Sequence, residues 1–290
     1  MYNGYRVIVC IPFGRRKFTD ILLRYLVREY SIIDEIRFWL NTEDKLDIEW
    51  AEKKSIEYKK INLDYTVLDK GLCEYSTPGV SRFYYNCSED KCVYLKIDDD
   101  IVWLSQEFVK NIVNFRIKNP EYFLVSANII NNAICDYIHK KNGLLPFYPE
   151  IRYSACDHKA WGDPIFAEKK HRIFLNNLWH GDMSPYKFDK HVLKQNRFSI
   201  NCICWFGEWP EFNGSLSKKT FDYICGDKGV IDDEEELTRS FTKMNKAYNC
   251  ICGNCICSHF SFSTQRDYML TTDILEDYKD TCRDLGLYNE

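Results

Sequence analysis

The sequence predicts an α/β fold, a Rossmann-like mixed central sheet flanked by helices, with an irregular second half. Three observations predict it. Strand-like and helix-like segments alternate over residues 1–127. Apolar residues make up 45% of the 290 positions and aromatic residues 16%, enough for one sizeable core. Three consecutive acids, Asp98-Asp99-Asp100, close an apolar run, and in an open α/β sheet ligands bind at the carboxyl ends of such strands.

The elements follow in order. Arg6 to Ile11 is an apolar strand ended by Pro12 and Gly14. Phe18, Ile21, Leu22, Tyr25 and Leu26 then recur at helical spacing and mark one face of a helix. Glu35 to Leu40 is the second strand, Asp44 to Lys54 a charged helix, and Ser55 to Ile61 a third strand. Gly71 to Asn86 holds Thr77-Pro78-Gly79 and a short helix carrying Arg82. Cys92 to Ile97, rich in β-branched and aromatic residues, is a buried fourth strand. Ser105 caps a helix with Phe108, Val109, Ile112, Val113 and Phe115 inside, and Tyr122 to Ala127 is a fifth strand. A soft boundary near residue 128 separates a 1–127 half from a 128–290 half, both expected in one continuous structure.

Composition narrows the function. The net charge is −4 with no strongly basic segment, so nucleic acid is not expected as the partner. No apolar run approaches the roughly 18 residues that span a bilayer, and no signal-peptide pattern opens the chain. The 14 cysteines read as reduced, mostly buried thiols, and the expected location is the cytoplasm.

Four constellations could carry chemistry. In Asp98-Asp99-Asp100, strand alternation puts Asp98 and Asp100 on one side and Asp99 on the other. Two such carboxylates can hold a hard divalent cation, against the plainer reading of a solvated acidic turn. In Asp232-Asp233-Glu234-Glu235-Glu236 the acids suit a helix N-terminus, and one could also serve as a general base. Cys250, Cys252, Cys255 and Cys257 with His259 superficially resemble a zinc site. The Cys-x-Cys spacing is poor for zinc, so apolar strand residues are the preferred reading. Trp205-Phe206-Gly207-Glu208-Trp209 interleaves aromatic and polar residues as a sugar-binding loop does, with a packed aromatic loop as the alternative.

With these residues in place, the chain resembles metal-dependent A-fold (GT-A) glycosyltransferases, closest to those of chloroviruses and bacteria, a viral xylosyltransferase among them. The resemblance rests on the first strand ending at Pro12, the acid triplet closing Tyr94 to Asp100, the Asp232 to Glu235 cluster and His259 before Thr264-Gln265-Arg266. It implies a nucleotide-sugar donor, a UDP-sugar first and UDP-xylose among them, and a glycan or glycoprotein acceptor. It implies Mn²⁺ or Mg²⁺ held by Asp98, Asp100 and His259. Pro12, Phe13, Gly14, Arg15, Thr42, Arg82, Lys96, Asp98 and Asp99 would surround the nucleotide. Asp233 or Glu234 would be the base of an inverting displacement. Trp161, Trp205, Phe206, Glu208 and Trp209 would face the acceptor. Two rivals stand beside it: a sugar nucleotidyltransferase, which the single glycine in Cys10 to Arg16 disfavours, and a non-catalytic carbohydrate-binding protein.

Overall fold

The computed structural model describes residues 1–66, 80–145, 150–208 and 232–287. The first strand, β1 (Arg6–Phe13), is buried on both faces from Val7 to Ile11, as a parallel strand covered by helices must be. Helix α1 (Arg16–Val27) buries Phe18, Ile21, Leu22, Tyr25 and Leu26, the stripe its spacing predicts. β2 (Glu35–Leu40) follows, then α2 (Lys45–Glu57), whose N-cap Asp44 accepts from Leu46 N and Asp47 N. β3 is Ile61–Asp64, so the predicted strand from Ser55 is instead the last turn of α2 and its exit. Only Asp47 and Ala51 of α2 are buried, which leaves too weak an apolar stripe to mark where the helix stops.

A short 3₁₀ helix, Arg82–Asn86, leads to β4 (Cys92–Ile97) and β5 (Ile101–Leu104), with the acid triplet between them. α3 (Phe108–Lys118), β6 (Tyr122–Ile130) and α4 (Ala133–Lys141) come next. The rest comprises α5 (Pro164–Trp179), β7 (Lys190–Leu193), β8 (Cys202–Phe206) and a helical run through 233–244 with a π-helical centre at Glu236–Ser240. β9 (Tyr248–His259), α6 (Ser263–Met269) and α7 (Ile274–Asp284) close the described chain. No described helix is long and apolar enough to cross a membrane.

Among the described residues, nine strands make one mixed α/β sheet in the order β3-β2-β1-β4-β8-β6-β9-β5, with β7 also on β9. β3, β2, β1 and β4 are parallel, and β8 turns the direction by pairing antiparallel to both β4 and β6. The sheet therefore draws on both halves of the sequence. Because β1, β2 and β4 are parallel, the chain segments after Phe13, Leu40 and Ile97 emerge at the same edge.

Candidate active site

A cleft of about 650 Å³ opens at that edge. β1 supplies Pro12, Gly14 and Arg15; the turn after β2 supplies Asn41, Thr42, Glu43 and Asp44; the end of β4 supplies Lys96, Asp98 and Asp99. Arg197, Ile200, Asp232, Asp233, Glu234 and Arg266 arrive from the second half. Residues 98 apart or more in sequence thus meet because β8 and β9 lie in the same sheet as β4.

Strand alternation does not govern the triplet. β4 ends at Ile97, Asp98 N donates to Asn201 O at 2.8 Å, and Ile101 N donates back to Asp98 O at 3.1 Å. The acids occupy a tight turn, and each meets its own set of partners, with Arg15 shared by Asp99 and Asp100. Asp98 pairs with Lys96 and accepts from Asn201 Nδ2 at 3.1 Å. Asp99 accepts from Gly14 N at 3.0 Å and Arg15 Nε at 3.1 Å, and also pairs with Arg15 Nη2. Asp100 lies 3.0 Å from Arg15 Nη1, 3.2 Å from Arg266 Nη2 and 3.4 Å from His259 Nε2. Burial alone would raise the Asp100 carboxyl; Arg15, His259 and Arg266 outweigh burial and hold it well below the usual carboxylate range. Asp99 goes the other way: burial raises it and Arg15 offsets only part.

Asp99 is therefore no spare acid. It ties the turn after β1 to the turn after β4 across 85 residues through the Gly14 amide. Asp99→Ala is expected to open that clasp and destabilise the chain by about 2 kcal/mol, because the Gly14 amide and Arg15 Nε lose their acceptor. Urea denaturation checks this, and an unchanged midpoint would contradict it.

The second acid cluster sorts itself by partner. Asp232 caps its helix by accepting from Glu235 N at 2.9 Å and meets Arg197 Nη1 at 2.8 Å. Glu234 accepts from Arg197 Nε at 2.7 Å, and Glu235 lies 3.2 Å from Arg239. Asp233 alone of these four has no ion pair among the described residues, although it is buried. Burial pushes its pKa up to about 7, with Lys96 lowering it and Glu234, Asp98 and Asp232 adding to the rise. A carboxyl poised near neutrality at the wall of a cleft is a general-base candidate.

Most of the anticipated nucleotide residues meet in this cleft: Pro12, Gly14, Arg15, Thr42, Lys96, Asp98 and Asp99 all line it. Asp100 and His259 sit just behind Arg15 and Arg266, brought together because β5 pairs with β9 at Ile101↔His259. Phe13 differs: its side chain is fully buried and stacks on Phe38 and Trp50, so it supports the turn and offers no face to a ligand. Arg82 lies on its 3₁₀ helix and is not among the described residues lining the cleft.

The aromatic segment requires a larger correction. Trp205 and Phe206 are buried in β8, where Trp205 stacks on Tyr94 at 5.6 Å. β8 runs antiparallel to β4, with Cys202 beside Ile97 and Phe206 beside Val93, so these residues point toward the opposite edge. Exposed Glu208 follows there, since Gly207 N donates to Cys92 O at 2.9 Å. Trp209 lies outside the described residues. Trp161 is nearer the acids: its ring lies 6.1 Å from Phe262, which meets His259 edge-on at 4.6 Å.

Arg197, Asn201 and Arg266 complete the site and escaped the sequence reading as site residues. Arg266 stands in a segment that drew notice, but a lone arginine carries no spacing signal of its own.

No protein-family model and no curated protein matches the chain. Among solved structures it is similar to mannosyl-3-phosphoglycerate synthase from Rubrobacter xylanophilus, at 11% identity and a TM-score of 0.42, covering 99% of this chain and 77% of that one.

Proposed function

We propose that the chain is a GT-A-type glycosyltransferase. It would move a sugar from a nucleotide-sugar donor, a UDP-sugar first, to a hydroxyl of a glycan acceptor. The observation that carries this reading is the pairing of opposites in one cleft. Buried Asp233, with its pKa near 7, shares the cleft with Lys96, Arg15 and Arg266 beside the acid triplet. A diphosphate needs cations and an acceptor hydroxyl needs a base, and here they are neighbours.

The charge of the lining supports a cation accompanying the donor. Among the described residues it holds seven acidic side chains, Glu43, Asp44, Asp98, Asp99, Asp232, Asp233 and Glu234, against four basic ones. A diphosphate entering alone would meet an excess of negative charge. The donor chemistry, carboxylate oxygens with one imidazole nitrogen, suits a hard divalent cation such as Mn²⁺ or Mg²⁺. No group of three ligands stands preassembled among the described residues, because Asp98 is engaged by Lys96 and Asn201. Asp100 and His259 would hold the cation, with Asp98 joining them once the donor draws Lys96 away. The cation would neutralise charge on the departing diphosphate.

The chain's own residues do the rest. Arg15 and Arg266 lie over Asp100 and are positioned to turn toward phosphate oxygens. Lys96, held at rest by Asp98 and by Ile200 O at 2.9 Å, would supply a buried positive charge to the diphosphate. Asp233 Oδ takes the acceptor hydroxyl proton as the new glycosidic bond forms and the bond to the diphosphate breaks. One base and no second nucleophile among the assigned residues correspond to inversion. Trp161 is the remaining described aromatic candidate for the acceptor. Screening nucleotide sugars with Mn²⁺ for slow donor hydrolysis tests the reading. Release of nucleoside diphosphate from at least one donor is expected, and release from none would contradict it.

A further inference from the structure

The cleft makes no use of Cys252-Gly253-Asn254-Cys255 in the middle of β9. β9 pairs in parallel with β6, but the register jumps from Ala127↔Cys252 to Asn128↔Ile256. Residues 253–255 thus form a bulge with no counterpart on β6. The bulge brings the two cysteines together, Sγ to Sγ 3.1 Å, with one thiol donating to the other.

The surroundings build this bulge. Asn128 Nδ2 donates to Gly253 O at 3.0 Å, and His139 Nε2 meets Asn128 Oδ1 at 2.8 Å. Gly253 N donates to Asp189 O at 3.2 Å. A Cβ on Gly253 would stand 2.0 Å from the Phe188 carbonyl oxygen, so only glycine fits. Both cysteines line a cavity of about 970 Å³ bordered by Trp103, Ser105 and Trp179. The pair is also asymmetric. The Cys255 hydrogen bond lowers the Cys252 thiol, against burial, with the amides of Asn254 and Cys255 assisting. The contact with Cys252 and then burial push the Cys255 thiol well above the ordinary value.

We propose that Cys252 and Cys255 form a dithiol that exchanges with small-molecule disulfides entering through this cavity. The Cys252 thiolate attacks one sulfur of a disulfide such as oxidised glutathione. That disulfide bond breaks, one glutathione leaves as a thiolate, and Cys252 carries the other as a mixed disulfide. Cys255 gives up its proton and attacks the Cys252 sulfur, expelling the second glutathione. The two cysteine thiols are oxidised to one disulfide, and one oxidised glutathione is reduced to two thiols that take up the two protons. This exchange does not depend on the glycosyltransferase reading.

The test is peptide mapping of the full chain. A Cys156→Ser background removes the one exposed cysteine among the described residues. The protein is treated with oxidised glutathione at neutral pH, quenched with acid, unfolded and alkylated. A disulfide between Cys252 and Cys255 is expected, reversed by dithiothreitol. Cys255→Ser should stop at the glutathione adduct on Cys252, and Cys252→Ser should carry no adduct at Cys255. Full alkylation of both thiols in the Cys156→Ser protein would overturn the proposal, as would bridging of either one to another cysteine. An adduct on Cys255 in the Cys252→Ser protein would overturn the assigned order of attack. The background protein decides the matter even if a serine variant at the bulge fails to fold.

Discussion

Asp233→Asn is expected to lower sugar transfer by at least about a hundred-fold, the smaller end of what a positioned general base contributes, while making the folded chain more stable at alkaline pH. The two effects have one cause. In the folded chain the Asp233 carboxyl takes up its proton at about 7, whereas an unfolded aspartate does so near 3.9. Between those values the folded state binds more protons, so this group costs stability as pH rises through the window, and the full penalty stands above pH 7. Three pH units correspond to an upper bound on the order of 4 kcal/mol. Asparagine keeps the shape and removes the penalty. Thermal melts should therefore diverge from the parent at pH 5 and by considerably more at pH 8. The parent's rate should fall as pH drops through about 7, while Glu234→Gln, whose parent carboxylate is occupied by Arg197, should lose far less activity. A variant with parental transfer, or with parental melting at both pH values, would remove Asp233 from the base role.

Asp100→Asn is expected to act in the opposite direction on stability. Asp100 is buried, and Arg15, Arg266 and His259 all converge on its carboxylate. Losing that charge leaves Arg266 without its ion pair among the described residues and Arg15 with Asp99 alone, and removing one partner of a buried pair costs about 3–5 kcal/mol. The same change deletes a cation ligand, so nucleotide affinity should lose its dependence on Mn²⁺. Chemical denaturation and metal titration check the two halves separately. Parental denaturation with intact metal coupling would contradict both.

The sequence made the parallel half of the sheet readable because its signals are local. Val7 to Ile11 and Cys92 to Ile97 are buried on both faces and read as continuous apolar runs, and α1 carries a full apolar stripe. Aromatic content misled in β8. A strand buried on both faces and an exposed sugar platform both interleave Trp and Phe, and only the antiparallel register shows that Trp205 faces Tyr94. Alternation misled at the triplet, because the strand stops one residue before it. The partners of the acids are tertiary facts: Arg15 reaches Asp99 and Asp100 because β1 is parallel to β4, and Arg266 arrives on a helix that follows β9. The choice of Asp233 within its acid run depends on Arg197 claiming Asp232 and Glu234, which no spacing reveals.

The central claim is that the cleft takes a nucleoside diphosphate together with a divalent cation. Calorimetric titration of the chain with UDP, and with other nucleoside diphosphates in parallel, tests it with Mn²⁺ and again with a chelator. At least one diphosphate should bind at least ten-fold tighter with Mn²⁺, and Asp100→Asn should abolish the difference. Absence of nucleotide binding in both conditions, or binding of equal strength in both, would contradict the account.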